Sequence, residues 1–131
     1  MKECRVSITS NVDGQENSFV REGYIDLSPV RPQISYVEED GQVQIYLEGE
    51  TAYVERRGSY SLKLRLERGK VGKGYIGIGG QEGEIQTFAK KIAYSTSKNS
   101  LLVSLQYVLT IGGEKQTTSL RLSAREKGEK S

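Results

Sequence analysis

The sequence predicts an all-β protein, an antiparallel meander closed into a small barrel of about eight to ten strands, and three observations carry that prediction. Apolar and polar residues alternate with a period of two along most of the chain. Turn-forming pairs built on glycine separate the alternating runs at short intervals. No convincing crossover helix joins one run to the next, so successive strands are expected to be antiparallel neighbours.

Taken in chain order, the first strands are expected at Glu3 to Ser10 and Asn17 to Ser28, with Asp13-Gly14 between them as a hairpin turn. Pro29 and Pro32 then flank a kink that a central strand would not tolerate. Gln33 to Glu39 follows, and Asp40-Gly41 turns it into Gln42 to Glu48, where Val43, Ile45 and Leu47 share a face opposite Gln44, Tyr46 and Glu48. Thr51 to Arg56 leads through Arg57-Gly58 to Ser59 to Glu67, with Tyr60, Leu62, Leu64 and Leu66 on one side and Ser61, Lys63, Arg65 and Glu67 on the other. Arg68-Gly69 marks the next turn, before Lys70 to Gly79 and then Glu84 to Ser95. After Thr96 to Asn99 comes the longest alternation, Ser100 to Ile111, carrying Leu101, Val103, Leu105, Tyr107, Leu109 and Ile111. Gly112-Gly113 separates it from a last strand over Thr118 to Arg125, with Thr118, Leu120, Leu122 and Ala124 on one face. A flat meander of this length would leave two exposed edges, and closure removes them. Gln86 to Tyr94 admits two readings, because Phe88, Ala89, Ile92 and Ala93 recur at helical spacing: a strand, or a short helix.

The length of 131 residues suits a single domain over the whole chain, ordered over about 3–126, with 127–131 a polar, frayed tail. Hydrophobic residues make up 35% and charged residues 27%, the balance expected of strands with one face to a core and one to water. No apolar run approaches the ~20 residues that cross a bilayer, and the opening Met1-Lys2-Glu3-Cys4-Arg5 carries charge where a signal peptide is apolar. A cytoplasmic protein without membrane contact is the expectation. The single cysteine, Cys4, shares a face with Val6 and Ile8 and reads as a small buried hydrophobe. The chain has no histidine, which removes Ser-His-Asp and Cys-His catalysis and most transition-metal sites together. No acid/base pair or nucleophile constellation stands out, so a non-enzymatic protein is expected, with no metal and no cofactor.

From Val54 onward the chain resembles the YwiB-like family of bacterial proteins. Arg56-Arg57-Gly58 fits that family's arginine-x-glycine turn, and an amphipathic strand ending in Arg68-Gly69 and a late strand holding Tyr107 follow in order. An early strand, an Asp-Gly turn and Ser35-Tyr36-Val37-Glu38-Glu39 before Gly41 extend the likeness over most of the chain. The resemblance implies a lipocalin-like, calycin-type barrel and no activity, since none is assigned to the family.

A barrel of this size either fills itself with side chains or holds one small ligand. Tyr36, Tyr60 and Tyr107 fall on the same faces as core aliphatics, Tyr94 lies beside Ile92, and Arg56 shares a face with Ala52 and Val54. An inward guanidinium among tyrosine hydroxyls would anchor a carboxylate or another anion in or at the mouth of the barrel. The plainer reading has the tyrosines packing as ordinary strand residues and Arg56 capping the turn at Gly58.

Charge divides along the chain. Residues 1–50 carry four basic and ten acidic side chains, a net of −6, and residues 51–131 carry fifteen basic and seven acidic, a net of +8. Lys63 and Arg65 face outward on one strand, with Arg56, Arg57, Arg68, Lys70 and Lys73 around its ends, so the stretch 56–73 with Tyr46 and Tyr53 is a candidate weak nucleic-acid surface. Its plain alternative is a solvated face offset in space by the acidic strands. An interaction module, as a homodimer or through that basic face, is therefore the alternative to a ligand-binding barrel. Gly72-Lys73-Gly74-Tyr75-Ile76-Gly77 matches the G-x-G-x-x-G string but lacks the strand-turn-helix context in which that string holds phosphate. Its glycines are expected to mark a bend, a bulge or a close backbone approach. Glu38-Glu39-Asp40 reads as a solubilising turn without the alternating ligands of a calcium loop.

Overall fold

Ten antiparallel strands hydrogen-bond in the order β1-β10-β9-β8-β7-β6-β5-β4-β3-β2, and β1 pairs with both β2 and β10, so the sheet closes into a barrel in this computed structural model. The structure describes residues 1–128. The strands are β1 (Lys2–Val12), β2 (Gln15–Asp26), β3 (Gln33–Glu38), β4 (Gly41–Glu48), β5 (Thr51–Gly58), β6 (Tyr60–Glu67), β7 (Val71–Ile78), β8 (Gln81–Thr96), β9 (Ser100–Ile111) and β10 (Glu114–Glu126). Each strand pairs with its sequence neighbour, and only the β1–β10 ladder joins distant parts of the chain. Among the described residues no sheet edge is left open, which is what closure contributes.

The period-two pattern decides which side chains enter the barrel. Cys4, Val6 and Ile8 of β1 meet Val43, Ile45 and Leu47 of β4, Leu64 and Leu66 of β6, Leu101, Val103 and Leu105 of β9, and Leu122 and Ala124 of β10 in one buried cluster. The interior is therefore filled with side chains, and the hydrophobic drive for closure is the burial of these inward faces. Cys4 is among them; burial, with the Glu22 carboxylate adding to it, pushes its thiol up to about 11, so it stays protonated.

Gln86 to Tyr94 is strand. Between Ala89 and Lys91 the β8–β9 register slips, so inward positions run Ile85, Thr87, Ala89 and then Ile92 and Tyr94. The extra residue of this β-bulge puts Ala89 and Ile92 three apart on one face, and that gap imitates a helical repeat. Gly72, Gly74 and Gly77 lie within β7 rather than at a phosphate loop. A β-carbon at Gly74 would press on the Lys63 carbonyl and the Leu64 side chain, so this glycine serves close strand approach. At the carboxyl end β10 reaches Glu126, and Lys127, expected in the frayed tail, is held by its N–H to the Glu3 carbonyl and by an ion pair to Glu22. Residues 129–131 of the expected tail lie outside the described residues.

Gly23 offers a test of the packing between β2 and β3. A β-carbon there would overlap the Ser35 carbonyl oxygen and crowd the Tyr36 backbone, whereas nothing lies within 4 Å of one at Gly83. Gly23→Ala should lower unfolding stability by about 1–3 kcal/mol through overpacking. Gly83→Ala should be neutral or slightly stabilising, since alanine loses less backbone entropy on folding. Urea denaturation of the two variants, matched against the parent, checks both.

Candidate functional site at the barrel mouth

The turns between β1 and β2, β3 and β4, β5 and β6, β7 and β8, and β9 and β10 all lie at one end of the barrel, as the meander requires. At this end the inward faces carry polar groups. Arg56 is the last inward side chain of β5 before Gly58, and it is only 5% exposed. Its Nε donates to Glu38 Oε1 at 3.0 Å, its Nη2 to Asp40 Oδ1 at 2.6 Å and its Nη1 to the Tyr60 carbonyl at 2.7 Å. The guanidinium lies 3.9 Å from the centre of the Tyr60 ring. Burial opposes its charge, but the hydrogen bond to Glu38 and the two nearby carboxylates outweigh that, and the guanidinium is held above its ordinary value. Asp40 in turn accepts from Ser59 Oγ at 2.6 Å, and this bond, with the field of Arg56, holds its carboxyl below the usual range.

Two sequence expectations are corrected by this clasp. Arg56 does point inward, but its charge is already matched by two carboxylates, so it is not a free anchor for an incoming anion. Glu38-Glu39-Asp40 is more than a solubilising turn, since Glu38 and Asp40 bind the β3–β4 hairpin to the β5–β6 hairpin through Arg56. Glycine is required at Gly41, where a β-carbon would lie 2.9 Å from the guanidinium, and at Gly58, whose φ is +151° beside the Asp40 carbonyl.

Behind the clasp lie Tyr36 of β3 and Tyr107 of β9, both buried. Burial, then the Glu38 carboxylate, pushes the Tyr36 hydroxyl well above its ordinary value, and burial pushes Tyr107 up to about 12. Tyr60, 40% exposed, is close enough that its ionisation would oppose that of the other two. The structure thus brings together four of the five sequence candidates: Tyr36, Arg56, Tyr60 and Tyr107. Tyr94 stands apart, because it pairs with Val103 in the half of the barrel nearer the β8–β9 turn at the opposite end. Tyr60 also forms one wall of an open depression of about 490 Å³, lined with Gly58, Ser59, Ser61, Gly77, Gly79 and Gly80 between two hairpin turns. The glycines leave main-chain groups uncovered there. Sequence reasoning missed Phe19 and Arg21, which the β1–β2 register places opposite Ile8 and Val6 and hence inward; Phe19 is 43% exposed and Arg21 lies over its ring. The signal was present in the alternation Phe19, Arg21, Gly23, Ile25.

The basic stretch 56–73 proves largely ion-paired. Arg65 meets Glu67 at 2.6 Å, Arg68 meets Glu50 at 2.6 Å, Lys70 meets Glu67 at 3.6 Å and Lys73 meets Glu84 at 3.4 Å. Lys63 stands opposite Glu55 in the β5–β6 register. Tyr46 and Tyr53, expected to be exposed, form a half-buried cross-strand pair that lies beneath Arg31 and Arg65. Part of the offset comes from Glu67 on the same strand as Arg65, and the rest from Glu50 and Glu84 on other strands and turns, which alternation along one strand cannot reveal.

Residues 6–122 match the domain of unknown function DUF1934. The chain belongs to this family. Among solved structures the DUF1934 barrel is similar to that of the ywiB protein from Bacillus subtilis, with a TM-score of 0.82 at 16% sequence identity over 97% of this chain and 93% of that one. At that identity the likeness shows the fold alone, and it agrees with the YwiB-like resemblance in the sequence. No curated protein matches the chain. In this DUF1934 member the mouth clasp is built from residues of three strands and two turns, inside the span that the family covers.

Proposed function

We propose that this DUF1934 protein is a non-enzymatic, cytoplasmic barrel that holds a small uncharged ligand at its mouth. The observation that carries the reading is the convergence of three tyrosines, Tyr36, Tyr60 and Tyr107, beside a glycine-lined depression at one barrel end. Among the described residues the Tyr36 and Tyr107 hydroxyls have no hydrogen-bond partner, and neither oxygen is sealed from solvent. Tyrosine hydroxyls so placed are available to a ligand, and the rings supply apolar surface. An anion is disfavoured because Glu38 and Asp40 outnumber Arg56 in the clasp, and the tyrosine rings and hydroxyls suit an uncharged ligand. The filled interior confines the ligand to the mouth, and the lipocalin-like, calycin-type resemblance is a further support for carriage there.

The test is a titration of isotope-labelled protein with uncharged fragments, phenols and primary amides, followed by amide chemical shifts. Shifts confined to Ser61 and Gly77 to Gly80 are expected, with Tyr36→Phe weakening binding by about fivefold, the worth of one hydrogen bond. Absence of shifts at those amides across the whole fragment set, together with no small adduct in native mass spectrometry of protein purified from its own host, would count against the reading.

A further inference from the structure

The outer face of β8, β9 and β10 carries a positive charge of a different kind from the paired stretch at 56–73. From Ile85 to Arg125 the chain has six basic residues and one acidic residue, Glu114. These three strands pair with one another, so no acidic strand lies between them. The registers align Lys91, Gln106 and Ser119 in one outward row and Ala93, Ser104 and Arg121 in the next. A third row runs through Phe88, Val108 and Thr117. Lys90, Lys91, Lys115 and Arg121 are all exposed. Among the described residues none of the four has a carboxylate within 4.0 Å.

The shape of the face matches that charge. Serine, alanine and threonine, with the exposed Leu102 and the half-buried Val108 among them, form the floor from which the long cationic side chains stand out. One open depression of about 580 Å³ is lined by Ala93, Ser104, Arg121 and Ser123, and another of about 460 Å³ by Phe88, Lys90, Val108 and Lys115. Neighbouring strands are ~4.8 Å apart and successive outward residues ~6.8 Å apart, so Lys91 and Arg121 sit roughly 12 Å from each other across the sheet. Spaced cations over hydroxyl and amide donors suit a chain of phosphates. Phe88, at 36% exposure beside Lys90, adds a ring on which an unstacked base can lie. A stacking ring on an open sheet favours a single strand over a duplex, whose bases are already stacked and paired.

We propose that the outer face of β8–β10 binds single-stranded nucleic acid, with Lys90, Lys91, Lys115 and Arg121 contacting phosphates and Phe88 stacking on a base. The surface lies outside the barrel mouth and does not depend on a ligand there.

Fluorescence anisotropy of the full chain with a labelled oligouridine tests it. Binding at low salt should weaken as salt rises, with a log–log slope of about −2 to −3, the value for three or four phosphates on a single strand. The double variant Lys91→Glu with Arg121→Glu should lose at least about tenfold in affinity, and Lys91→Arg with Arg121→Lys should retain most of it. Phe88→Ala should lose about fivefold or more while leaving the salt slope unchanged, since stacking releases no counterions. Arg65→Glu with Arg68→Glu, on the ion-paired face, should change affinity by less than about twofold. No saturable binding at low salt, or equal losses from the two double variants, would overturn the proposal. Polyphosphate competing as well as oligouridine, with Phe88→Ala silent, would overturn it too, by reducing the face to a general polyanion surface.

Discussion

Arg56→Met lowers the free energy of unfolding by about 2–4 kcal/mol in the expected result, because it leaves Glu38, Asp40 and the Tyr60 carbonyl without their shared donor. Methionine keeps most of the buried stem, so the loss reports the charge and its hydrogen bonds more than the packing. The figure stays below that of a fully buried pair because Glu38 and Asp40 are 34% and 59% exposed and can take up water. Acid should expose the same clasp. The Asp40 carboxyl is held below its ordinary value in the folded protein, so its contribution is complete above the unfolded value. That contribution is lost as the pH falls through the lower folded value. Urea midpoints measured from neutral pH into the acid range should therefore fall for the parent and fall less steeply for Arg56→Met. Parallel curves would mean that Asp40 gains little from Arg56.

Leu105→Ala is expected to cost about 2–5 kcal/mol, the range for a leucine truncated in a core that relaxes only in part. Leu105 is fully buried on β9, opposite Ile92 on one side and Leu120 on the other. A typical domain is stable by only about 5–15 kcal/mol, so this one change removes a large share. Leu102→Ala, whose side chain points outward on the same strand at 50% exposure, should shift stability by less than about 0.5 kcal/mol. The contrast between these two leucines, three residues apart on one strand, is a direct reading of strand phase. Equal losses from both would contradict the assignment of inner and outer faces.

Strand phase was the part most legible in the residues. Leu62, Leu64 and Leu66 point inward as their alternation predicts, with Leu64 and Leu66 buried and Leu62 half-buried. The turns at Asp13-Gly14 and Gly112-Gly113 fall between successive strands as expected, and the one expected at Asp40-Gly41 lies one residue earlier, at Glu39-Asp40, with Gly41 already in β4. Gln86 to Tyr94 was ambiguous for a physical reason: a bulge changes the phase of the alternation by one residue, and within a short window that change is indistinguishable from a helical period. The candidate site was legible in part. The inward direction of Tyr36, Arg56, Tyr60 and Tyr107 follows from their own strands, but that Glu38 and Asp40 neutralise Arg56 follows only from the pairing of β3, β4 and β5.

By itself the amino-acid order determined most of the strands, their two faces and the turns between them, because each of these depends on residues within a few positions of one another, whereas closure rests on the β1–β10 ladder between the two ends of the chain. The tertiary structure decided what each charged side chain meets. Arg68 finds Glu50 on another turn and Lys73 finds Glu84 on the paired strand, while Lys90, Lys91 and Arg121 have no carboxylate within 4.0 Å among the described residues. Electrostatic pairing acts over a few ångströms in space and is blind to distance along the chain, so the sum of charges over a segment does not tell where the free charge lies.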